Sequence, residues 1–223
     1  MNDDFIKFPS TKHLIALSDL DIRKDKIMSE PERKEFLKYD LIVEEKIDGS
    51  NLGISFDSEG NIRLQKRGGY INYAGEWKKL DKWIDNKIDA LFDILSDKYI
   101  MFGEWCYAKH SIFYDELPDW FLGFDVYDKQ NEYFLSTTKR NNIFKKINIH
   151  QVPFLTQGKF DLDKLRKFLV FQSEFGNTKV EGIYLRIDEQ DRLIDRSKIV
   201  NGWFRQSIES HWNNRIIKLN EII

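Results

Sequence analysis

A lysine at the end of a short apolar segment is the residue of this sequence best suited to covalent chemistry. Lys46 follows the run Leu41-Ile42-Val43 and stands two residues before Asp48-Gly49. An ε-amine attacks an electrophile only when it is neutral, and its reference pKa is about 10.4. Burial and neighbouring cations would have to lower the pKa of Lys46 before it could react at neutral pH. The segment predicts a nucleophilic lysine, and a solvated turn after a strand is the simpler alternative.

Three later segments carry residues that could serve such a lysine. Arg67, in the run Gln65-Lys66-Arg67-Gly68-Gly69, can hold a phosphate through two hydrogen bonds. Glu104 is an acid within an otherwise apolar strand, and it needs a polar partner if it is buried. Phe124, which precedes Asp125, offers a ring that could stack on a purine. The structural alternatives are a basic turn, a solvent-facing acid and an ordinary core aromatic.

Two cations in the last predicted hairpin complete this group. Arg196 and Lys198 are two residues apart, so their side chains point to the same face of a strand. An anion such as a nucleotide α-phosphate between them would satisfy both charges, and the same field would lower the pKa of Lys46. A cationic strand that faces solvent is the alternative interpretation.

Length, composition and charge limit the class of protein. The chain has 223 residues, 41% of them hydrophobic, which predicts one domain with a substantial core. Its 35 basic and 37 acidic residues give a net charge of -2, so any nucleic-acid contact must come from a local patch. Cys106 is the single cysteine, which excludes an internal disulfide and a cysteine-type zinc site. No apolar run has the length of a signal peptide or a membrane span, so we expect a cytoplasmic protein without a membrane partner.

Sequence periodicity predicts an α+β fold with antiparallel sheets flanked by helices. Residues 1–40 read as an irregular lead-in with a strand at 12–17 and a charged stretch that Pro31 interrupts. Predicted strands cover 41–47, 52–56, 62–67, 99–106, 120–127 and 132–135, and 180–187 pairs with 192–200 in a hairpin. Predicted helices cover 77–99, 137–147 with Ser136 as cap, 161–174, and a terminal helix in 204–223 that turns Ile208, Trp212 and Ile216 inward.

In order along the chain, these segments resemble the motif set of the covalent nucleotidyltransferases, which comprise ATP-dependent DNA ligases, RNA ligases and mRNA capping enzymes. The resemblance spans residues 41 to 205 and rests on Lys46, Lys66-Arg67-Gly68, Glu104, Phe124-Asp125, Glu181-Gly182 and the pair Arg196 and Lys198. It is closest to RNA ligases of the phage type that seal nicks in duplex RNA, because Asn51 and the run Tyr107-Ala108-Lys109-His110-Ser111-Ile112 match that group. Only 25 residues follow Lys198, so we expect a bare adenylation domain, 1–223, with no OB-fold domain.

The resemblance implies an ATP-dependent RNA ligase of RNA repair. Lys46 would form a lysine adenylate, AMP would pass to an RNA 5′-phosphate, and a 3′-hydroxyl would attack the AMP-capped end. The cofactors implied are ATP and Mg²⁺, with Mn²⁺ possible. The partner implied is RNA with 5′-phosphate and 3′-hydroxyl ends in a nicked duplex, and an accessory protein supplying a further domain stays open.

The resemblance also implies a role for each candidate residue. Glu45 (through its backbone), Asp48, Gly49, Arg67, Glu104, Phe124, Arg196 and Lys198 would bind the nucleotide, with Glu104 on the ribose and Phe124 on adenine. Glu181 would contact the metal, and Asn51 would position ribose or the reacting 5′-phosphate. Lys139 and Arg140, on one predicted helix, form a candidate RNA-phosphate patch, although most such runs are solvated faces.

Three alternatives stay open from the sequence. The first is a nick-sealing ligase for DNA or for mixed DNA–RNA nicks, which differs in whether the 2′-hydroxyl is read. The second is a non-catalytic nucleotide-binding or RNA-binding domain. The third is an adenylyltransferase that caps ends without joining them.

Overall fold

The computed structural model describes residues 5–17, 23–204 and 218–223, and they form two mainly antiparallel sheets with five α-helices. The predicted antiparallel α+β arrangement is confirmed. The inward residues of the predicted terminal helix, Ile208, Trp212 and Ile216, lie outside the described residues. The elements in chain order are α1 Glu30–Phe36, β1 Leu41–Lys46, β2 Ser50–Phe56, β3 Ile62–Lys66, β4 Gly69–Tyr70, α2 Leu80–Asp85, α3 Ile88–Leu95, β5 Tyr99–Trp105, β6 Phe121–Asp128, β7 Tyr133–Phe134, α4 Thr137–Ile147, β8 His150–Gln151, β9 Phe154–Gly158, α5 Leu162–Lys167, β10 Gly182–Glu189 and β11 Arg192–Val200.

The smaller sheet holds the lysine strand in its interior. Its order is β11-β10-β1-β9, so β1 is paired on both sides. Leu41 and Val43 point to one face, where they pack with residues of α1, α5 and β10 in a buried core. Glu44 and Lys46 alternate with them and point to the opposite face, toward the larger sheet. This alternation explains how an apolar strand can present charged groups to a cleft.

The larger sheet follows the order β4-β3-β2-β5-β6-β7, with β8 added in parallel to β6. Its outer face is covered by α2, α3 and α4, which bury a core that includes Leu52, Met101 and Phe121. On the inner face Asn51 of β2 lies directly opposite Glu104 of β5. The two inner faces therefore bring Lys46 and Glu104, from different sheets, toward one cleft.

The predicted helix over 77–99 is wrong as a single element. The structure has a 3₁₀ turn at Gly75–Trp77, then α2 and α3, with Asn86 and Lys87 between the two helices. Both helices pack their apolar residues against the sheet. The periodicity therefore predicts the buried face correctly but does not predict the break between the helices.

Pro31 begins a helix rather than interrupting a charged stretch. It lies in the first turn of α1, where its missing N–H has no intrahelical partner to lose. Ser29 and Glu32 form a capping box, in which the Glu32 carboxylate accepts the Ser29 N–H at 2.7 Å. The predicted cap of α4 lies at Ser136, but its hydroxyl makes no capping hydrogen bond, and the Thr137 N–H at the first helical position donates to Asp188 at 2.5 Å.

The last six residues bind along the loop that joins β5 to β6. Residues 218–223 form bridges at Leu219 and Ile222. Asn220 is buried, accepts the Tyr114 N–H at 3.0 Å and donates to the Cys106 carbonyl at 2.8 Å. This segment fixes one side of the loop. Among the described helices none is both long and apolar enough to cross a membrane.

Candidate active site

Two adjoining cavities open between the sheets at the end of β1. The first is lined by aromatic residues as well as charged ones, and the second is polar, with a volume of about 420 Å³. A volume of this size is typical of small-ligand sites. Both cavities are lined by Lys46, Asn51, Arg67, Glu104 and Lys198. The structure therefore brings together residues predicted from five separate segments of the sequence.

Lys46 is partly buried and paired with an acid. Its Nζ donates to Oε2 of Glu181 at 2.7 Å. Burial lowers the pKa of Lys46, but the negative charges of Glu181, Glu104 and Asp48 outweigh it and raise the pKa above its ordinary value. The prediction that neighbouring cations lower this pKa is wrong for the protein without nucleotide, because the nearest charges are carboxylates. Lys46 is held as an ammonium ion.

The two acids nearest Lys46 have raised pKa values. Burial raises the pKa of Glu104 to about 8, although the charge of Lys46 opposes the shift. Burial likewise raises the pKa of Glu181 to about 7, and Lys46 again opposes it. Within the described chain, Oε2 of Glu104 and Oδ1 of Asn51 are buried and lack hydrogen-bond partners. Buried polar atoms are normally satisfied, so these two mark the place where a polar ligand would fit.

Lys198 and Arg196 share a face of β11, as predicted, but their side chains have different surroundings. Lys198 lines both cavities, and its charge lowers the pKa of Glu181. Arg196 donates to Asp125 at 2.7 Å, and its guanidinium lies 3.9 Å from the centre of the Phe134 ring. The prediction that both cations hold one anion between them is therefore wrong for Arg196 in this conformation, because Asp125 already provides its counter-charge.

Asp48 organises a loop instead of facing either cavity. Its Oδ2 accepts the N–H groups of Ser111 and Ile112 at 2.7 and 2.8 Å. The predicted nucleotide contact of Asp48 is corrected accordingly, since its carboxylate is already hydrogen-bonded. Gly49 lines the polar cavity, and a Cβ there would lie 2.9 Å from the Trp105 carbonyl oxygen. Glycine is needed because the two backbones approach so closely.

Three further predicted nucleotide residues line the first cavity. Phe124 is half-buried, and its ring meets the ring of Phe8 edge-on at 5.2 Å. Arg67 is exposed at the mouth. Glu45 contributes its backbone, because its carboxylate accepts the Ser173 hydroxyl at 2.6 Å on the other face of β1. Burial raises the pKa of Glu45 to about 7.

The two residues of the predicted RNA patch on α4 differ in burial. Lys139 is exposed and lies 3.3 Å from Asp191. Arg140 is fully buried, and its Nη2 donates to Oε1 of Glu44 at 2.5 Å. The prediction that Arg140 contacts RNA phosphate is wrong, because its guanidinium is enclosed by protein groups.

Several residues of the site were not predicted. Tyr184 and Phe8 line the first cavity, and the Tyr184 hydroxyl lies 2.9 Å from the hydroxyl of Thr11. Tyr184 alternates with Gly182 on β10, opposite Glu44 and Lys46, so the strand period contained a signal. Phe8 comes from the lead-in, which has no period to read.

A polar cluster at the rim of the second cavity was also missed. Glu76 Oε2 accepts the hydroxyl of Ser50 at 2.8 Å and lies 3.0 Å from Nε2 of His110. The hydrogen bond with Glu76 is the main cause of a raised pKa for His110. His110, which the sequence placed in a loop, therefore joins that loop to the start of β2.

Comparison with known proteins places these features in a family. The model of the RNA ligase family matches residues 39–200, from just before β1 to the end of β11. The chain belongs to the RNA ligase family. The matched region contains Lys46, Glu104, Glu181 and Lys198, so the lysine and its neighbours lie inside the part shared with other RNA ligases.

Solved structures of an RNA ligase from Naegleria gruberi have the same fold. One point mutant with ATP and Mn gives a TM-score of 0.64 at 18% identity, over 92% of this chain and 58% of that chain. A second mutant with ATP and Mn gives 0.61 at 18% identity, over 81% and 54%, and a mutant without ligand gives 0.60 at 20% identity, over 81% and 54%. This chain thus spans little more than half the length of those structures. A comparison with curated protein sequences gives no match.

Proposed function

We propose that this protein is an ATP-dependent RNA ligase that works through a lysine adenylate. The observation that carries the proposal is the position of Lys46, whose amine lies at the wall shared by an aromatic and a polar cavity. A nucleobase fits the aromatic cavity against Phe124, and a chain of phosphates fits the polar one beside Arg67 and Lys198. In that arrangement the α-phosphorus lies near Lys46.

The first step forms a bond between Lys46 Nζ and the α-phosphorus and releases pyrophosphate. Lys46 must lose a proton before it attacks, and the Glu181 carboxylate at 2.7 Å is the nearest acceptor. Glu181 can take that proton once bound phosphate and metal have lowered the pKa of Lys46, because the two groups already share a hydrogen bond. Lys198 would neutralise charge on the phosphate oxygens as the leaving group departs.

A divalent cation fits this site only together with phosphate oxygens. In the described parts of the chain, no three His, Cys, Asp or Glu side chains gather to form a metal site. Glu181 has a second carboxylate oxygen and can contact a metal while holding Lys46. Mg²⁺ commonly takes one or two carboxylates plus substrate phosphates, which agrees with this arrangement. Mg²⁺ or Mn²⁺ would supply charge neutralisation on the phosphate and lower the pKa of Lys46.

The later steps transfer AMP to an RNA 5′-phosphate and then join it to a 3′-hydroxyl, with release of AMP. Glu104 is suited to a ribose hydroxyl because its buried oxygen needs a partner. Asn51, opposite it, would position the reacting 5′-phosphate. The match to the RNA ligase family supports RNA as the substrate. A nicked duplex and a cytoplasmic location remain parts of this proposal.

Labelling with ATP radioactive at the α-phosphate tests the proposal. Wild-type protein should become labelled in the presence of Mg²⁺ or Mn²⁺, and Lys46→Ala should not. The control is Lys139→Ala, which removes an exposed lysine and should keep full labelling. Lys46→Ala should still seal RNA that already carries the AMP cap, since that step forms no lysine adduct.

The outcomes separate the alternatives. Labelled Lys46→Ala would refute the nucleophile, and an unlabelled wild type would favour a non-catalytic binding domain. Capped RNA that accumulates without joining would indicate an adenylyltransferase. Nicks with RNA or DNA at the 3′ side, sealed in parallel, would show whether the 2′-hydroxyl is read.

A further inference from the structure

We propose that the buried ion pair of Glu44 and Arg140 is a positioning device for Phe124. In this proposal Arg140 acts as a positioning residue, because its guanidinium holds the backbone of the residue that faces the nucleobase. The inference rests on the proposed function, since it takes the Phe124 ring to be the surface on which ATP stacks. It assigns a role to two residues outside the nucleotide-binding motifs.

Phe124 occupies a β-bulge. In the pairing of β5 with β6, Phe102 lies opposite Asp125 and Gly103 lies opposite Gly123, so Phe124 has no partner residue. A bulge turns a side chain out of its regular alternation, and it leaves a peptide group without a ladder partner. The bulge therefore aims the ring of Phe124 at the cavity and creates a carbonyl that needs a donor.

Two buried arginines supply that donor. Arg140 Nη1 donates to the Phe124 carbonyl, and Arg186 Nη1 donates to the same oxygen at 3.3 Å. Both arginine side chains have no exposed surface. Arg140 comes from α4 on the larger sheet, whereas Arg186 comes from β10 of the smaller one. The Phe124 carbonyl oxygen thus accepts hydrogen bonds from side chains on both sides of the cleft.

Glu44 links Arg140, and through it the Phe124 carbonyl, to β1, the strand that carries Lys46. Its two carboxylate oxygens accept from Arg140 at 2.5 and 3.3 Å. Glu44 and Lys46 lie on the same face of β1, two residues apart, which is about 7 Å along a strand. The ion pair therefore fixes the ring of Phe124 relative to the amine of Lys46, because Glu44 and Lys46 belong to one short paired segment.

Stability alone does not require a buried ion pair. Its desolvation is costly, and apolar residues of similar volume are often at least as stable in its place. An apolar pair would leave the bulged carbonyl with Arg186 alone at the longer distance. What the ion pair adds is a second, directional contact on the residue that faces the cavity.

Removal of the pair as a unit tests the proposal. The double substitution Glu44→Gln with Arg140→Met leaves no unpaired buried charge, and Arg140→Lys is a second variant that keeps the positive charge opposite Glu44. The control is the exposed pair Asp163 and Arg166, changed to Asn and Met. Self-adenylation is measured in single turnovers over a range of ATP concentrations, with urea unfolding to establish that each variant is folded.

The expected result is a higher ATP requirement with little change in the maximal rate. A misplaced stacking surface should raise the ATP concentration for half-maximal rate by about 5- to 150-fold, the range typical of a lost base–aromatic contact. Phe124→Ala should give a similar rise. In the Phe124→Ala background the double substitution should add less than about twofold, because a residue that acts through Phe124 has nothing left to position.

Three results would overturn the inference. If the double substitution raised the ATP requirement by the same factor in the Phe124→Ala background as in the wild type, the ion pair would act independently of the ring. Folded variants with an unchanged ATP requirement would show that the pair is only structural. An unchanged requirement in Phe124→Ala itself would overturn the nucleobase contact, and the positioning role with it, while leaving labelling at Lys46 intact.

Discussion

Glu104→Gln should make the protein more stable at alkaline pH. Burial raises the pKa of Glu104 from its ordinary 4.5 to about 8, so the folded protein holds this proton more tightly than the unfolded chain does. The stability that the protonated acid contributes is complete below pH 4.5 and is lost as the pH rises toward 8. At about 1.4 kcal/mol for each tenfold change in proton affinity, the loss is about 3 to 5 kcal/mol.

Glutamine resembles the protonated acid in shape and cannot ionise. The two proteins should therefore differ by less than about 1 kcal/mol in unfolding free energy at pH 5, and the variant should be about 3 to 5 kcal/mol more stable at pH 8.5. The measurement is urea unfolding at both pH values. The raised pKa of Glu45 acts in the same direction in both proteins, so the difference between them reports Glu104 together with its coupling to Lys46 and Glu181.

The control substitution is Glu35→Gln on the exposed face of α1, which makes the same chemical change outside both cavities. The reasoning would be refuted if Glu104→Gln kept the wild-type pH dependence, or if it were less stable at pH 8.5. A confirmed result would mean that an ionisable group is retained at a cost to folding, which is characteristic of functional sites.

Substitutions at four other positions test separate parts of the structure. Gly182→Ala would place a methyl group 2.2 Å from a backbone oxygen of β11 and should destabilise the fold by about 1 to 3 kcal/mol in urea. Asp48→Ala removes the acceptor of two loop amides and should abolish self-adenylation, whereas Asp48→Asn should retain part of it. Asn220→Ala leaves buried groups of the same loop unpaired and should cost about 1 to 3 kcal/mol in unfolding free energy. Lys139→Ala should reduce the salt dependence of RNA binding by about one phosphate contact and leave adenylation unchanged.

Contrary results would be informative in each case. An unperturbed Gly182→Ala would mean that β10 and β11 can separate without cost. Full adenylation by Asp48→Ala would show that the loop is not needed for the first step. An unchanged urea midpoint for Asn220→Ala would show that residues 218–223 do not stabilise the loop. An unchanged slope of RNA affinity against salt concentration for Lys139→Ala would show that Lys139 does not contact RNA.

Much of the larger architecture could be predicted because it depends on local periodicity. The strands that carry Lys46 and Glu104 follow from short apolar runs, the strand that carries Lys198 follows from its hairpin turn, and α4 has the predicted bounds. The capping box of Ser29 and Glu32 was readable too, since a serine followed three residues later by glutamate is a helix start. Pro31, which lies between them, is also typical of a break in a helix, and this favoured the wrong interpretation.

The electrostatics of the site could not be predicted in the same way. The burial of Arg140 depends on Glu44, which is distant in sequence and meets it only after two sheets have packed. A basic run on a helix has no feature that reveals this partner. The pKa of Lys46 depended likewise on the position of Glu181, a carboxylate that reaches it across a strand pair. Such pairings come from tertiary structure and not from the pattern of either segment.

The order of strands in the smaller sheet has a consequence for synthesis. β1 emerges early from the ribosome, but its partners β9 and β10 come from residues 154–158 and 182–189. Until those residues have left the exit tunnel, β1 has no neighbours, and pairings this remote in sequence form slowly. A nascent or prematurely terminated chain therefore carries Lys46 without Glu181 or Lys198 beside it. Under the proposed function, the polypeptide would acquire reactivity toward ATP only once nearly all of these residues have been translated.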